Sequence, residues 1–153
     1  MSSTQQTVET TSPAGLSIVL PTFNEGDSIA SVIGSLLTLS EQEPLEILVV
    51  DDDSSDGTTE TVRAMALRDP RIRIIHRLGR SGLASAIKEG LIDAIHPRAI
   101  VMDSDGQHEP ASVLDALRML DQQHLDLVAG SRFLDQSEIR GLSDRRTDGS
   151  SLA

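Results

Sequence analysis

The 153-residue chain contains no cysteine and almost no aromatic side chains. The absence of cysteine excludes disulfide bonds, thiolate metal sites and cysteine nucleophiles, and it leaves the redox environment undetermined. Phe23 and Phe133 are the only aromatic residues, so the base-stacking surfaces of single-strand-binding proteins are excluded as well. The formal net charge of −11 opposes contact with a phosphate backbone. We therefore expect no nucleic-acid partner.

Long apolar runs are also lacking. No stretch approaches the roughly 18 apolar residues of a membrane-spanning helix, and the N-terminus lacks the basic and apolar regions of a secretory signal. We therefore expect a soluble chain that starts inside the cell. Residues 1–15 are rich in Ser, Thr and Gln without apolar periodicity, which predicts a disordered leader. The apolar content of 38% fits one domain with a single core.

What the sequence does contain is a regular alternation of short apolar runs and segments of helical periodicity. The predicted strands cover residues 16–20, 45–50, 72–76, 99–102 and 125–129. Pro21 is expected to break the first of them. Helical segments of about ten to fifteen residues lie between the strands, which predicts right-handed βαβ units. The fold class is therefore α/β, with a mostly parallel sheet covered by helices on both faces.

Polar residues follow the carboxyl end of each predicted strand. In chain order they are Asn24 and Glu25, residues 51–53, Arg77 and Arg80, Asp103 and Asp105, and Arg132. Because the carboxyl ends of parallel strands meet at one edge, where open α/β folds bind ligands, we expect these residues to surround one crevice. Carboxylates and arginines together suit a metal-bound diphosphate.

The stretch 99–108 is central to this prediction. Its apolar residues are followed by Asp103, Asp105 and Gly106, which indicates a buried strand that ends in a turn carrying carboxylates. Hard cations such as Mg²⁺ are usually held by one or two carboxylates together with substrate phosphates. The structural alternative is an Asx turn in which one of these aspartates caps its own backbone.

The acidic run 51–53 after the second strand allows several interpretations. A calcium loop fails because Arg63 stands where a bidentate glutamate is needed. A haloacid-dehalogenase-like phosphatase would use the first and third aspartates with Lys88. A response-regulator receiver would use the first two with Asp103 as phosphoacceptor, but no lysine follows residue 88. A capped turn at a helix N-terminus is the structural alternative.

The segment 77–82 predicts an anion site. Gly79 and Gly82 let the backbone approach a ligand, and the N-terminus of the following helix attracts anions. A surface loop with solvated arginines is the alternative. The histidines are interpreted as surface or packing residues, and Phe23 and Phe133 are expected to fill the edge of the core.

Five motifs occur in a fixed order: Pro-Thr-Phe-Asn-Glu, Val-Val-Asp-Asp-Asp-Ser-Ser-Asp-Gly, Arg-x-x-Arg-x-Gly-Leu-Ala-x-Ala, Met-Asp-Ser-Asp-Gly-Gln-His-x-Pro and Gly-Ser-Arg-Phe. This combination closely resembles family 2 glycosyltransferases of the Rossmann-like GT-A nucleotide-diphospho-sugar transferase fold, and within them the dolichyl- or polyprenyl-phosphate mannosyltransferase group. The resemblance implies a nucleotide-sugar-binding catalytic domain over residues 16–133. Residues 134–153 would form an acceptor loop, with the domain cut short at the chain end.

The resemblance also implies roles for particular residues. The donor would be bound by Pro21, Phe23, Asn24, Glu25, Asp52, Arg77, Arg80 and Gly82. Asp103 and Asp105 would form the Asp-x-Asp pair and hold Mg²⁺ or Mn²⁺ together with Gln107. Arg132 would bind phosphate and join the two aspartates as a catalytic residue.

In the acceptor loop, Arg146 and Ser150 match the arginine and serine that would hold a lipid phosphate. Arg80 replaces a lysine that is common in the third motif.

The implied activity is inverting, metal-dependent transfer of a hexose, with mannose favoured, to a polyprenyl or dolichyl phosphate. GDP-mannose is the favoured donor and UDP-glucose the second candidate. A cytoplasmic protein, peripheral on the membrane surface through its acceptor or a missing C-terminal segment, is implied. The alternatives are a glycosyltransferase with a sugar-hydroxyl acceptor, a sugar nucleotidyltransferase and a receiver-like signalling module.

Overall fold

A computed structural model describes residues 15–106 and 110–130. In chain order the elements are β1 (Leu16–Thr22), α1 (Ile29–Leu37), a short 3-10 helix (Thr38–Glu41), β2 (Leu45–Asp51), α2 (Thr58–Ala66), β3 (Ile72–His76), α3 (Leu83–Asp93), β4 (Arg98–Val101) and α4 (Pro110–Gln122). The strands form one parallel sheet in the order β3-β2-β1-β4. The predicted α/β class is confirmed.

The core lies on both faces of this sheet. Ile18 and Ile47 belong to the larger cluster, which includes side chains from α1, α2 and α4. Val19 and Val50 pack on the other face with Ala86 of α3. Because successive strand residues point to opposite faces, two covered faces require apolar side chains at almost every position of the central strands. This explains the nearly continuous apolar runs of β1 and β2.

The expectation that Pro21 breaks the first strand is wrong, because β1 runs to Thr22. The Thr22 carbonyl accepts a hydrogen bond of 2.9 Å from the Asp52 N–H, so the backbone polar groups of Thr22 point toward β2. The backbone polar groups of successive strand residues point alternately to the two neighbouring strands, so the backbone nitrogen of Pro21 points toward β4. Pairing with β4 ends where Val19 lies opposite Val101. The missing N–H of Pro21 therefore costs no ladder hydrogen bond.

The predicted strand over residues 125–129 is also wrong, since these described residues form no strand. Leu127 is 80% exposed. A cavity lined by Ala99 of β4, Leu117 of α4 and Leu127 lies between this segment and the edge of the sheet. A short apolar run becomes a strand only where a neighbouring strand satisfies its backbone groups. Residues 126–128 line the cavity beside β4, and the described segment 125–129 forms no ladder with that strand, so its backbone has no strand partner.

Helix α3 lies very close to the sheet at Gly90. A Cβ atom added there would lie 2.4 Å from Val19 Cγ1 and 3.0 Å from Val50 Cγ2. We expect Gly90→Ala to lower the free energy of unfolding by about 1–2 kcal/mol, because overpacking outweighs the better helix propensity of alanine. Urea unfolding measures this change.

The matched control for that substitution is Gly34→Ala in α1, where an added Cβ meets nothing within 4 Å. This variant is expected to raise the free energy of unfolding by up to about 1 kcal/mol. Equal stabilisation by both alanines would contradict the close approach of α3.

Glu46 is a buried carboxylate near the amino end of β2. It accepts hydrogen bonds from Ser17 Oγ at 2.5 Å and from the Ile95 N–H at 3.1 Å, and it forms an ion pair with Arg73. Burial raises the pKa of Glu46, but the hydrogen bonds from Ser17 and Ile95 and the Arg73 guanidinium together bring this pKa below its ordinary value. The carboxylate therefore stabilises the fold in its charged form.

This arrangement predicts a pH dependence of stability. The contribution of Glu46 is fully present above its ordinary pKa of 4.5 and is lost as the pH falls through the lowered value. As the pH is lowered below 4.5, we expect the urea concentration at the unfolding midpoint to decrease. This decrease with pH should be less steep in Glu46→Gln. Glu60→Gln, at an exposed position of α2, serves as the control and should keep the wild-type slope. Identical slopes in wild type and Glu46→Gln would contradict this prediction.

Candidate functional site

Four loops leave the carboxyl edge of the sheet, one after each strand. They are the β1–α1 loop (residues 23–28), the β2–α2 loop (52–57), the β3–α3 loop (77–82) and the β4–α4 loop, which the structure describes over residues 102–106. Because the strands are parallel, the loops emerge at the same edge. Hydrogen bonds between the loops join them into one rim.

The β1–α1 and β2–α2 loops are linked through Asn24 and Glu25. The Asn24 N–H donates to Ser54 Oγ at 2.8 Å, and Asn24 Oδ1 accepts from the Ser55 N–H at 3.0 Å. The Glu25 N–H donates to Thr58 Oγ1 at 3.0 Å. Asn24 adopts a left-handed backbone with φ of 54°, which asparagine tolerates better than most residues. Both predicted donor residues therefore help to fix the loop that carries them.

Asp56 connects the same two loops. Its carboxylate accepts from the Thr58 hydroxyl at 2.5 Å and from the Gly26 N–H at 2.8 Å. These hydrogen bonds, led by that of Thr58, hold the pKa of Asp56 below its ordinary value. Asp56 thus acts as a charged bridge between the loops.

Asp51 is fully buried and caps the turn that follows it. It accepts from Ser54 Oγ and from Thr59 Oγ1, each at 2.5 Å. The capped-turn interpretation therefore describes this residue. A nucleophile must reach its substrate, so the burial of Asp51 argues against the phosphatase alternative.

Asp52 joins the β2–α2 loop to the start of α3. Its carboxylate forms an ion pair with the buried Arg77 and accepts from the Gly82 N–H at 2.7 Å. Arg77 also donates to Ser85 Oγ at 2.5 Å. Gly82 precedes α3 with a φ of 123°, a conformation that favours glycine. The anion at the N-terminus of α3 is therefore the carboxylate of Asp52, and binding of a ligand anion there stays a prediction.

Glu89 extends this ion pair into a chain of alternating charges. It accepts from both terminal nitrogens of Arg80, at 3.0 and 3.1 Å, and lies 3.2 Å from Arg77 Nε. The order of charges is Asp52, Arg77, Glu89 and Arg80. Sequence reasoning missed Glu89, although it follows Ser85 by four residues on α3 and so shares the helix face that contacts Arg77.

His76 was not predicted as a site residue either, yet it holds Asp53 in place. Its Nε2 lies 3.1 Å from Asp53 Oδ1, and its Nδ1 lies 3.0 Å from a terminal nitrogen of Arg63. A guanidinium can only donate, so Nδ1 accepts and Nε2 carries the hydrogen that it donates to Asp53. Asp53 has a φ of 61° and also accepts from the Gly79 N–H at 3.3 Å.

The β4–α4 loop presents Asp103 and Asp105 on either side of a buried serine. Ser104 Oγ donates to the Pro21 carbonyl at 3.3 Å, and the Ser104 carbonyl accepts from Ser28 Oγ at 3.0 Å. Asp103 is exposed and Asp105 is half-buried. The serine therefore anchors the Asp-x-Asp turn to the β1–α1 loop.

The donor atoms of this turn suit a hard divalent cation. Within residues 15–106 and 110–130, no three His, Cys, Asp or Glu side chains are arranged to hold a metal ion. Asp103 and Asp105 would therefore share a cation with oxygens of a bound molecule or water, which is how Mg²⁺ is usually held. The other predicted ligand and contact residues, Gln107, Arg132, Arg146 and Ser150, lie outside the described residues.

Phe23 does not fill the edge of the core, so that expectation is wrong. Its side chain is 60% exposed because it follows the last residue of β1, where the chain turns away from the helices that cover the sheet. Phe133 lies outside the described residues. The rim therefore carries an accessible aromatic ring, close in sequence to the predicted donor residues Pro21 and Asn24.

The rim is acidic. Its exposed or half-buried carboxylates are those of Glu25, Asp27, Asp53, Asp56, Asp103 and Asp105. Arg77 and Arg80 are the arginines of the described loops, and their charges are already compensated by Asp52 and Glu89. This distribution attracts cations and opposes the approach of a bare diphosphate. No helix in the described part of the chain is long and apolar enough to cross a membrane.

Comparison with known protein families and curated proteins places this geometry in context. The family model described as glycosyl transferase family 2 matches residues 17–148. A dolichol-phosphate mannosyltransferase of Mycosarcoma maydis is 35% identical over 130 residues, covering 81% of this chain and 44% of that protein. A polyprenol monophosphomannose synthase of Mycolicibacterium smegmatis is 32% identical over 133 residues, covering 84% and 49%. The chain therefore spans about half the length of these relatives.

The fold of this chain is also similar to those of solved structures. A mannosyltransferase from Pyrobaculum calidifontis in complex with GDP-Man and Mn²⁺ superposes with a TM-score of 0.60 at 26% identity, over 72% of this chain and 33% of that one. A glucosyl-3-phosphoglycerate synthase from Mycobacterium tuberculosis in complex with Mn²⁺, UDP and glucosyl-3-phosphoglycerate gives 0.59 at 28% identity, over 70% and 39%. The predicted GT-A fold is confirmed, and with the family model matching most of its length, the chain belongs to glycosyl transferase family 2.

Proposed function

We propose that the protein is an inverting glycosyltransferase that moves mannose from GDP-mannose to a polyprenyl or dolichyl phosphate. The observation that carries the proposal is the single rim, in which hydrogen bonds join Asp52, the β1–α1 loop and the Asp-x-Asp turn. The names of the relatives at 32–35% identity support the lipid acceptor. The similarity to a mannosyltransferase solved with GDP-Man and Mn²⁺ supports the donor.

The nucleoside end of the donor lies at Asp52 and Phe23 in this proposal. Each carboxylate oxygen of Asp52 has one donor from the protein, and a carboxylate oxygen can accept a second hydrogen bond. Arg77 and Gly82 hold the carboxylate in one orientation, so it is preorganised for the ligand. The exposed ring of Phe23 offers an apolar face to a base.

The diphosphate end lies at the Asp-x-Asp turn. An Mg²⁺ or Mn²⁺ ion held by Asp103 and Asp105 would neutralise charge on the leaving diphosphate. The acidic rim makes such a cation necessary, because the carboxylates would otherwise repel the phosphates. Arg80, with a side chain that is 56% exposed, and Arg132 would supply further positive charge to the same phosphates.

The acceptor needs little help from a protein base. A lipid phosphate is already an anion near neutral pH and can attack the anomeric carbon in line once it is oriented. Arg146 and Ser150, which lie outside the described residues, are the proposed orienting pair. With such an acceptor the protein would work at the cytoplasmic face of a membrane as a peripheral protein.

A thermal-shift panel of GDP-, UDP- and dTDP-sugars, each with Mn²⁺, with Mg²⁺ or with EDTA, tests the donor. At a hundredfold excess over its dissociation constant, GDP-mannose with metal should stabilise the chain by about 2.7 kcal/mol, and EDTA should remove the effect. A larger shift with UDP-glucose would reassign the donor. No shift with any nucleotide sugar would contradict the proposal.

Transfer itself is tested with labelled GDP-mannose and a polyprenyl phosphate. We expect label to move into the organic phase. Release of pyrophosphate in a separate incubation with GTP and mannose 1-phosphate would instead indicate a nucleotidyltransferase, and transfer only to a soluble sugar would indicate a hydroxyl acceptor.

A further inference from the structure

The side chain of Glu89 occupies the one exposed guanidinium of the β3–α3 loop. Both of its oxygens accept from Arg80, at 3.0 and 3.1 Å, in a two-pronged contact. A phosphate group presents two oxygens to an arginine in the same way. The carboxylate of Glu89 therefore takes the place on Arg80 that a phosphate of the donor would take.

A second observation concerns the neighbouring Arg77. Its Nε is buried and makes no hydrogen bond, although Glu89 Oε2 lies only 3.2 Å away. A buried N–H without a partner costs free energy. The carboxylate of Glu89 is close enough to satisfy it but is oriented toward Arg80 instead.

From these two contacts we propose that Glu89 is an internal competitor of the donor diphosphate, an inference that rests on the proposed function. When the diphosphate takes over Arg80, the Glu89 carboxylate turns to the Nε of Arg77 and keeps a charged partner. The exchange costs little, because an exposed ion pair contributes only about 0–1 kcal/mol. Glu89 is thus a positioning residue that sets the affinity for the diphosphate part of the donor.

Calorimetry with GDP and Mn²⁺ tests this proposal on Glu89→Gln. Glutamine keeps the size of the side chain and an acceptor for Arg77 but removes the competing charge. We expect GDP to bind about three- to fivefold more tightly than to wild type, corresponding to the upper part of the range for an exposed ion pair. Guanosine, which lacks phosphates, should bind both proteins equally.

Two further variants isolate the contact. In an Arg80→Ala background, Glu89→Gln should give no gain, because the competed group is absent. Asp115→Asn, which breaks the exposed ion pair with Arg118 on α4, should leave GDP binding unchanged.

Unchanged or weaker GDP binding by Glu89→Gln would overturn the inference, and so would a gain that persists without Arg80. If wild type binds no nucleoside diphosphate in the presence of metal, the proposed function fails and this inference fails with it. Normal binding by wild type with no gain in the variant refutes the inference alone.

Discussion

Replacing Asp105 by alanine is expected to abolish the metal-dependent binding of a nucleotide-diphosphate sugar. The half-buried carboxylate lies in a turn that Ser104 anchors to the rim, so its position is fixed before the ligand arrives. We expect the affinity for GDP-mannose with Mn²⁺ to fall by more than about 100-fold, since removal of even an outer partner of a metal ligand costs 10–100-fold. Isothermal titration calorimetry measures the loss.

The control for this experiment is Asp27→Ala, which removes the same charge from an exposed position of the same rim. It should change affinity only slightly. Asp105→Asn keeps the shape of the side chain and separates loss of a ligand from loss of the fold, provided that its melting temperature is also measured. Undiminished donor binding in either Asp105 variant would count against the metal site.

Removal of Asp52 is expected to cause the largest loss of stability. The ion pair with Arg77 is buried on both sides, at 9% and 3% exposure of the two side chains. Asp52→Ala leaves the guanidinium buried without this partner, so we expect the free energy of unfolding to fall by about 3–5 kcal/mol. Urea unfolding gives the value.

Asp115→Ala provides the comparison, because it breaks an ion pair in which both side chains are exposed, at 70% for Asp115 and 59% for Arg118. Such a pair contributes about 0–1 kcal/mol. A loss in Asp52→Ala no greater than in this control would show that the buried pair does not hold the β2–α2 loop to α3.

The fold could be predicted because its signals are local. Apolar runs of strand length, helical spacing between them and loop residues after each strand recur along the chain, and each is read from a few neighbouring residues. The position of Pro21 within β1 could not be read in this way. It depends on where β4 stops, which lies far along the sequence.

The acidic run after β2 shows the limit more sharply. Asp51 turns inward to Thr59, Asp52 points to Arg77 and the start of α3, and Asp53 turns out to His76. Three identical neighbours therefore have three different surroundings. Each is decided by hydrogen-bond donors that lie at other places in the chain, so composition and spacing could place the group at the rim but could not divide the roles within it.

Strand β2 secures α3 at both ends, and this has a consequence for ligand binding. Asp52, directly after the strand, holds the Gly82 N–H before the helix, while Glu46 near the start of the strand holds the Ile95 N–H beyond it. The helix is thereby prevented from sliding along the strand that it covers. Any change in the contacts of Glu89 must then come from rotation of its side chain, because the helix that carries it stays in place.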